Sequence, residues 1–186
     1  KELDKLNAQE AITTLNSGAL LVRLNFKQEQ IRYFEKFGNT KEANRIRVKQ
    51  MKLNRHIIEA FSELYSFSPV YFFAMEDSKK IFNGKQNEIT FYNKNAEPDE
   101  SIVVGSKNFL IAEFGMIERD TSNNQGATTS MNALVMRSKD FTQLRDPFPF
   151  YSGYSPVARI KKRFRMPVIR LQSRLKAYFA ESAKAE

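Results

Sequence analysis

Two short segments that are apolar almost throughout, ALLVRL (residues 19–24) and PVYFFAM (residues 69–75), constrain this chain more than any other feature. Each is too short for an independent helix, and neither alternates as a half-solvated strand does. Both read as strands covered on two faces, the kind that parallel sheets use. A parallel pair needs a long crossover, expected to be right-handed, and the sequence between the two segments is helical in character.

Three Asn residues, Asn7, Asn25 and Asn39, each stand three positions before a Glu or Gln, the spacing of a capping box. With Gly18 and Gly38 placed to close the preceding helices in a left-handed conformation, the spacing predicts helices at about residues 8–16, 26–37 and 40–65. The long third helix buries Ile46, Leu53, Ile57, Phe61 and Leu64 along one side, with Met51, Ile58 and Tyr65 beside them. Lys41, Arg45, Lys52, Arg55 and Glu59 form its solvated side.

Further strands are predicted at residues 88–92, 109–114 and 133–136. An amphipathic helix follows at about residues 168–180, carrying Val168, Leu171, Leu175 and Phe179 on one stripe. The polar stretch of residues 120–130 reads as a surface loop. The expectation is a single α/β domain over residues 1–186. It has a mixed sheet of about five strands, a long N-terminal helical crossover and a C-terminal helix, with residues 152–167 a basic linker into that helix. The element order resembles the strand-helix-strand then strand-strand-helix plan of thioredoxin-like proteins. The chain has no Cys, so the CxxC of that group is missing and the analogy implies no redox activity.

Sixteen Phe and seven Tyr supply an aromatic core. Without Cys there is no disulfide, thiolate nucleophile or Cys-ligated zinc, and the single His56 excludes a multi-histidine metal site. No apolar run approaches the roughly 18 residues of a membrane span. The chain begins at Lys1 rather than Met. A cleaved secretory signal would account for that and place the protein in the periplasm or cell envelope; a mere chain boundary would leave it cytoplasmic.

Four fragments, SGALLVRL, SPVYFF, NFLIAEFG and DPFPFY, resemble a group of small uncharacterised exported proteins of Bacteroidota. The resemblance covers roughly residues 15–151 and lies in core strands and a proline corner. It implies export and carries over no catalytic residue.

Candidate chemistry is sparse. His56 lacks an elbow such as GxSxG to supply a nucleophile, and reads as structural. Arg23, inside an apolar strand, needs an acidic partner, for which Glu113 in the 109–114 strand is the natural candidate. Such a pair could line a polar pocket. Glu76 and Asp77 follow a strand end but have no third ligand, so no metal site is expected. No Walker loop, GxGxxG or EF-hand pattern occurs, and no cofactor or small-molecule ligand is expected. Phe148, Phe150 and Tyr151, held by two prolines, are either a tucked-in corner or an aromatic surface for a partner.

The charge distribution is uneven. From Pro147 through Ala180 there is no acid, while Arg159, Lys161, Lys162, Arg163, Arg165, Arg170, Arg174 and Lys176 contribute eight positive charges to a chain of net charge +9. A surface of this kind is a statement about partners rather than fold. The favoured expectation is a non-enzymatic envelope accessory protein that meets an acidic protein through this segment and the neighbouring aromatics. An anionic membrane surface is a further possible partner. Nucleic acid is a weaker one because no RNA-binding module accompanies the cluster, and an enzyme built on an unrecognised carboxylate and Arg site is the remaining alternative.

Overall fold

The fold is described from a computed structural model, for residues 2–117 and 131–184. Along the chain come α1 (Glu2–Ser17), β1 (Ala19–Leu24), α2 (Gln28–Lys36), α3 (Thr40–Leu64), β2 (Val70–Ala74), the short α4 (Ser78–Phe82), β3 (Phe109–Met116), β4 (Asn132–Arg137), β5 (Tyr151–Gly153) and α5 (Ile160–Ser182). The strands form one five-stranded mixed sheet in the order β2-β1-β3-β4-β5. β1 runs parallel to both β2 and β3, whereas β3–β4 and β4–β5 are antiparallel.

β1 is apolar throughout because it is central in two senses. Strands flank both of its edges, and its alternating side chains enter two separate cores. Leu20, Val22 and Leu24 join α1, α3 and α5 through Ile12, Leu15, Ile58, Phe61, Val168, Leu171 and Leu175. Ala19 and Leu21 join a smaller cluster on the opposite face with Phe73, Ile81, Ile89, Phe91, Phe109 and Ile111. The β1-to-β2 crossover therefore lies on one face of the sheet and the β2-to-β3 connection covers the other. The two connections cross opposite faces and carry the chain to the two opposite edges of β1, which opens a crevice beyond the carboxyl ends of β1 and β3.

Several local expectations are corrected. Asn7 lies inside α1, which starts at Glu2; the buried stripe begins only at Ala8, and Leu3 and Leu6 are exposed, so periodicity carries no signal in the first turns. Asn25 does not cap α2, whose cap residue is Lys27; Asn25 Oδ1 instead accepts from Lys27 N at 2.8 Å. Asn39 does cap α3, accepting from Glu42 N at 3.2 Å, and Gly38 is left-handed as expected. Gly18 is required for a different reason: a Cβ there would lie 2.1 Å from the Asn108 carbonyl oxygen. Residues 88–92 form no ladder strand. Ile89 and Phe91 do point into the core, but pairing is limited to isolated bridges, one of them from Phe91 to Phe73. The predicted loop at residues 120–130 lies outside the described residues.

α5 begins eight residues earlier than predicted, so residues 160–167 are helix rather than linker. Proline disfavours a helical residue before it and is at home in a first turn, which argued for a start just after Pro167. Here burial overrides that preference: Phe164, Pro167, Val168, Leu171 and Leu175 make one continuous stripe against the core. Among the described residues no helix is long and apolar enough to cross a membrane.

Candidate anion crevice at the strand ends

The pairing register puts Arg23 of β1 directly opposite Glu113 of β3, on the same face as the smaller core cluster. The expected ion pair is present, between Arg23 Nη2 and Glu113 Oε2. Glu113 has a second partner that the sequence reading missed: Arg137 Nε donates to its Oε1 at 2.6 Å. Arg137 ends β4, one strand further on, and only the sheet order reveals that it shares this face.

The three side chains are nearly closed to solvent, with exposures of 18% for Arg23, 10% for Glu113 and 11% for Arg137. Two cations share this one carboxylate, in a place where uncompensated charge is costly. Dipoles and a ring also meet the two guanidinia. Arg23 Nη1 donates to Ser78 Oγ at 3.4 Å, Arg137 Nη1 donates to the Phe141 carbonyl at 2.9 Å, and the Arg23 guanidinium lies 5.2 Å from the Phe141 ring centroid. Phe141 holds this position with φ 66°, an unusual conformation for a bulky residue.

Arg23 also lines a crevice of about 270 Å³, together with Lys27, Asn54, Ile57, Phe114 and Arg163 among others. A neighbouring opening of about 680 Å³ shares Arg23, Asn25, Lys27 and Met75 with it. The rim is built from the first residues after β1. Lys27 is left-handed at φ 58°, held by Asn25 Oδ1 on its own N–H and by Ile31 N donating to its carbonyl at 2.9 Å. Fully buried Asn54 ties this turn to α3 by donating to the Asn25 carbonyl at 3.0 Å. On the opposite wall, the ring of Phe114 sits 5.0 Å from that of Phe164 and 5.6 Å from that of Tyr154. Burial pushes the Tyr154 hydroxyl pKa up, and the nearby charge of Arg163 partly offsets the rise.

Two polar atoms of the residues that line this crevice are left over. Arg23 Nε and Arg163 Nε are both buried without a hydrogen-bond partner. Arg163 is anchored at its other end by Nη2 donating to the Ala158 carbonyl at 3.3 Å. A buried N–H without an acceptor costs on the order of 1–3 kcal/mol, so two of them on side chains that line one cavity mark a place that favours an anion.

The rest of the basic segment is used differently from the sequence expectation, and the α5 spacing explains how. Arg163, Arg170 and Arg174 follow one side of the helix. β4 takes the Phe150 carbonyl through Met136 N at 2.7 Å, so the alternate carbonyls of β5 face off the sheet edge. Arg174 donates to the Tyr151 carbonyl at 2.6 Å and Arg170 to the Gly153 carbonyl at 3.3 Å, covering that edge. Lys161, Arg165 and Lys176 follow the other side of α5, toward α3. Lys161 reaches Glu59 at 3.7 Å, Arg165 pairs with Glu63, and Lys176 donates to Ser66 Oγ at 3.3 Å. Arg159 and Lys162 are exposed and have no side-chain partner among the described residues.

The proline corner turns its rings inward. Phe148 and Phe150 are buried in the main core, at 1% and 9% exposure, and Tyr151 is half-buried in β5 with the Arg174 guanidinium 5.6 Å from its ring centroid. Phe148 and Phe150 therefore offer no exposed aromatic surface to a partner; the Phe148 ring packs against Tyr178 of α5, 6.3 Å between centroids. His56 Nδ1 lies 3.2 Å from Glu59 Oε2 on α3. Asp77 pairs with Lys80 at 2.7 Å, and among the described residues no group of three potential metal-ligating side chains occurs.

No protein-family model, no curated protein and no solved structure matches this chain.

Proposed function

We propose that this chain is a binding protein that takes an anion into the crevice beyond β1 and β3. One observation carries the reading: Arg23 and Arg163, each with a buried Nε that has no acceptor, line the same cavity. The position supports it, since ligands of open α/β sheets gather where the crossovers diverge at the carboxyl ends of parallel strands. The lining supports holding over turnover. It includes amides, guanidinia and a phenol, but no Ser, Thr, His or Asp among its described residues, and Glu113 already accepts from two arginines. A small anionic ligand departs from the sequence expectation of none. The departure arises because Arg163 reaches the crevice only once α5 starts at Ile160.

The test is a thermal-unfolding series in acetate or inorganic phosphate against sodium chloride of equal ionic strength. A ligand at about 100 times its Kd stabilises the native state by about 2.7 kcal/mol. The reading expects such an anion-specific rise, lost in Arg163→Met; equal unfolding temperatures in all three salts would overturn it.

A second reading keeps the acidic protein partner and the envelope setting. It is favoured by Arg159 and Lys162, which stand exposed at the start of α5 without partners among the described residues. The resemblance to exported proteins supports the setting. Pull-down of an acidic envelope protein, weakened by R159A/K162A and by salt, would support this reading. Periplasmic absence on cell fractionation, or retention of RNA in place of protein, would refute it.

A further inference from the structure

We infer that the anion is a monocarboxylate carried on a short apolar body, such as an arylacetic or branched aliphatic acid. This rests on the anion-binding reading of the crevice and adds to it the class of ligand. Two features of the walls set that class.

The first is the arithmetic of donors and charge. Arg23 has committed Nη1 to Ser78 and Nη2 to Glu113, and Arg163 has committed Nη2 to the Ala158 carbonyl. Each keeps an Nε–H without an acceptor, beside the Nη hydrogens that these bonds leave over, so the two guanidinia can meet a carboxylate with paired N–H donors. A phosphate would bring further charged oxygens into a cavity that the Glu113 carboxylate also lines. Arg23, Lys27 and Arg163 outnumber Glu113 on this lining, so charge favours an anion, while the Glu113 carboxylate repels each further negative charge brought in.

The second is the wall opposite the guanidinia. Leu53 and Ile57 of α3, Phe114 of β3 and Phe164 of α5 supply apolar surface, and Phe114 and Phe164 meet edge to face. Phosphate oxygens turned toward that surface would lose water without replacement, at a cost that a hydrocarbon group avoids. The volume of about 270 Å³ is just under the roughly 300–1,000 Å³ of drug-sized sites, so the body is short.

The test is isothermal titration of the full chain with four probes: acetate, phenylacetate, 2-phenylethanol and inorganic phosphate. Phenylacetate is expected to bind at least about tenfold tighter than acetate or phosphate, from burial of its ring, and 2-phenylethanol is expected not to bind measurably. Arg163→Met should abolish binding, and Leu53→Ala should weaken phenylacetate several-fold while leaving acetate unchanged. Equal affinities for acetate, phosphate and phenylacetate, all lost in Arg163→Met, would leave the anion site standing and overturn the apolar body. Binding of 2-phenylethanol as tight as phenylacetate would overturn the carboxylate. Failure of all four probes would sink the anion reading itself, and this inference with it.

Discussion

Replacing Glu113 by Gln should be among the most destabilising single changes in this protein outside the apolar core. The side chain is 10% exposed and accepts from both Arg23 and Arg137, so the isosteric amide removes the carboxylate that two buried guanidinia share. Removing one partner of a buried ionic cluster costs about 3–5 kcal/mol, because the remaining charges stay buried. That is a large share of a total stability of roughly 5–15 kcal/mol. Arg23→Met is the informative contrast. It leaves Glu113 with Arg137, and it deletes an Nε that has no acceptor, so it should cost under about 1.5 kcal/mol. Urea unfolding at pH 7 followed by far-UV circular dichroism measures both, and for a chain of this size the Glu113→Gln loss corresponds to a fall of about 6–20 °C in Tm. Added sodium chloride should change the difference little, since buried pairs are weakly screened. A Glu113→Gln cost within about 1 kcal/mol of zero, or an Arg23→Met cost as large, would refute the triad as described.

Three further outcomes follow from packing and charge. Gly18→Ala should cost about 3 kcal/mol or more in the same unfolding assay, since its Cβ would sit 2.1 Å from the Asn108 carbonyl oxygen and 2.6 Å from that of Thr14, backbone atoms that cannot step aside. R170A/R174A should leave the monomer folded but uncover the β5 carbonyls, and sedimentation should then show self-association that the parent lacks. The Glu59 carboxyl is held below its usual range, first by the hydrogen bond from His56 and then by the charges of Lys161, His56 and Arg165. A depressed folded pKa gives stability that is complete above the ordinary value near 4.3 and is lost as pH falls below it. Glu59→Gln should accordingly flatten the acid limb of the stability curve below about pH 4.3. The effect should stay under about 1 kcal/mol because this pair is partly solvated.

What could be foreseen in the sequence and what could not divide along a physical line. β1 was legible to the residue because a strand buried on both faces is apolar on both. Arg23 was legible because a guanidinium in such a strand needs an acid, and Glu113 stands inside a comparable apolar segment. Asn39 was legible because its cap is a contact within three residues. The misses are tertiary. Nothing near Arg137 signals that β4 lies beside β3. β5 spans only Tyr151–Gly153 and has no apolar run to announce it. The cations of α5 looked like a free surface because neither β5 nor the acids of α3 that receive them are neighbours in sequence. Arg163 entered the site only through the early start of α5, which burial of Phe164 and Pro167 imposes against proline's local preference.

The most direct measurement is NMR of the arginine side-chain Nε–H groups, assigned by their loss in R23K and R163K, during titration with phenylacetate. The account predicts that the resonances of Arg23 and Arg163 both move, with one shared Kd, and stay still when 2-phenylethanol is added instead. Resonances that do not move, or movement confined to Arg159, Arg170 and Arg174 on the outside of α5, would contradict it.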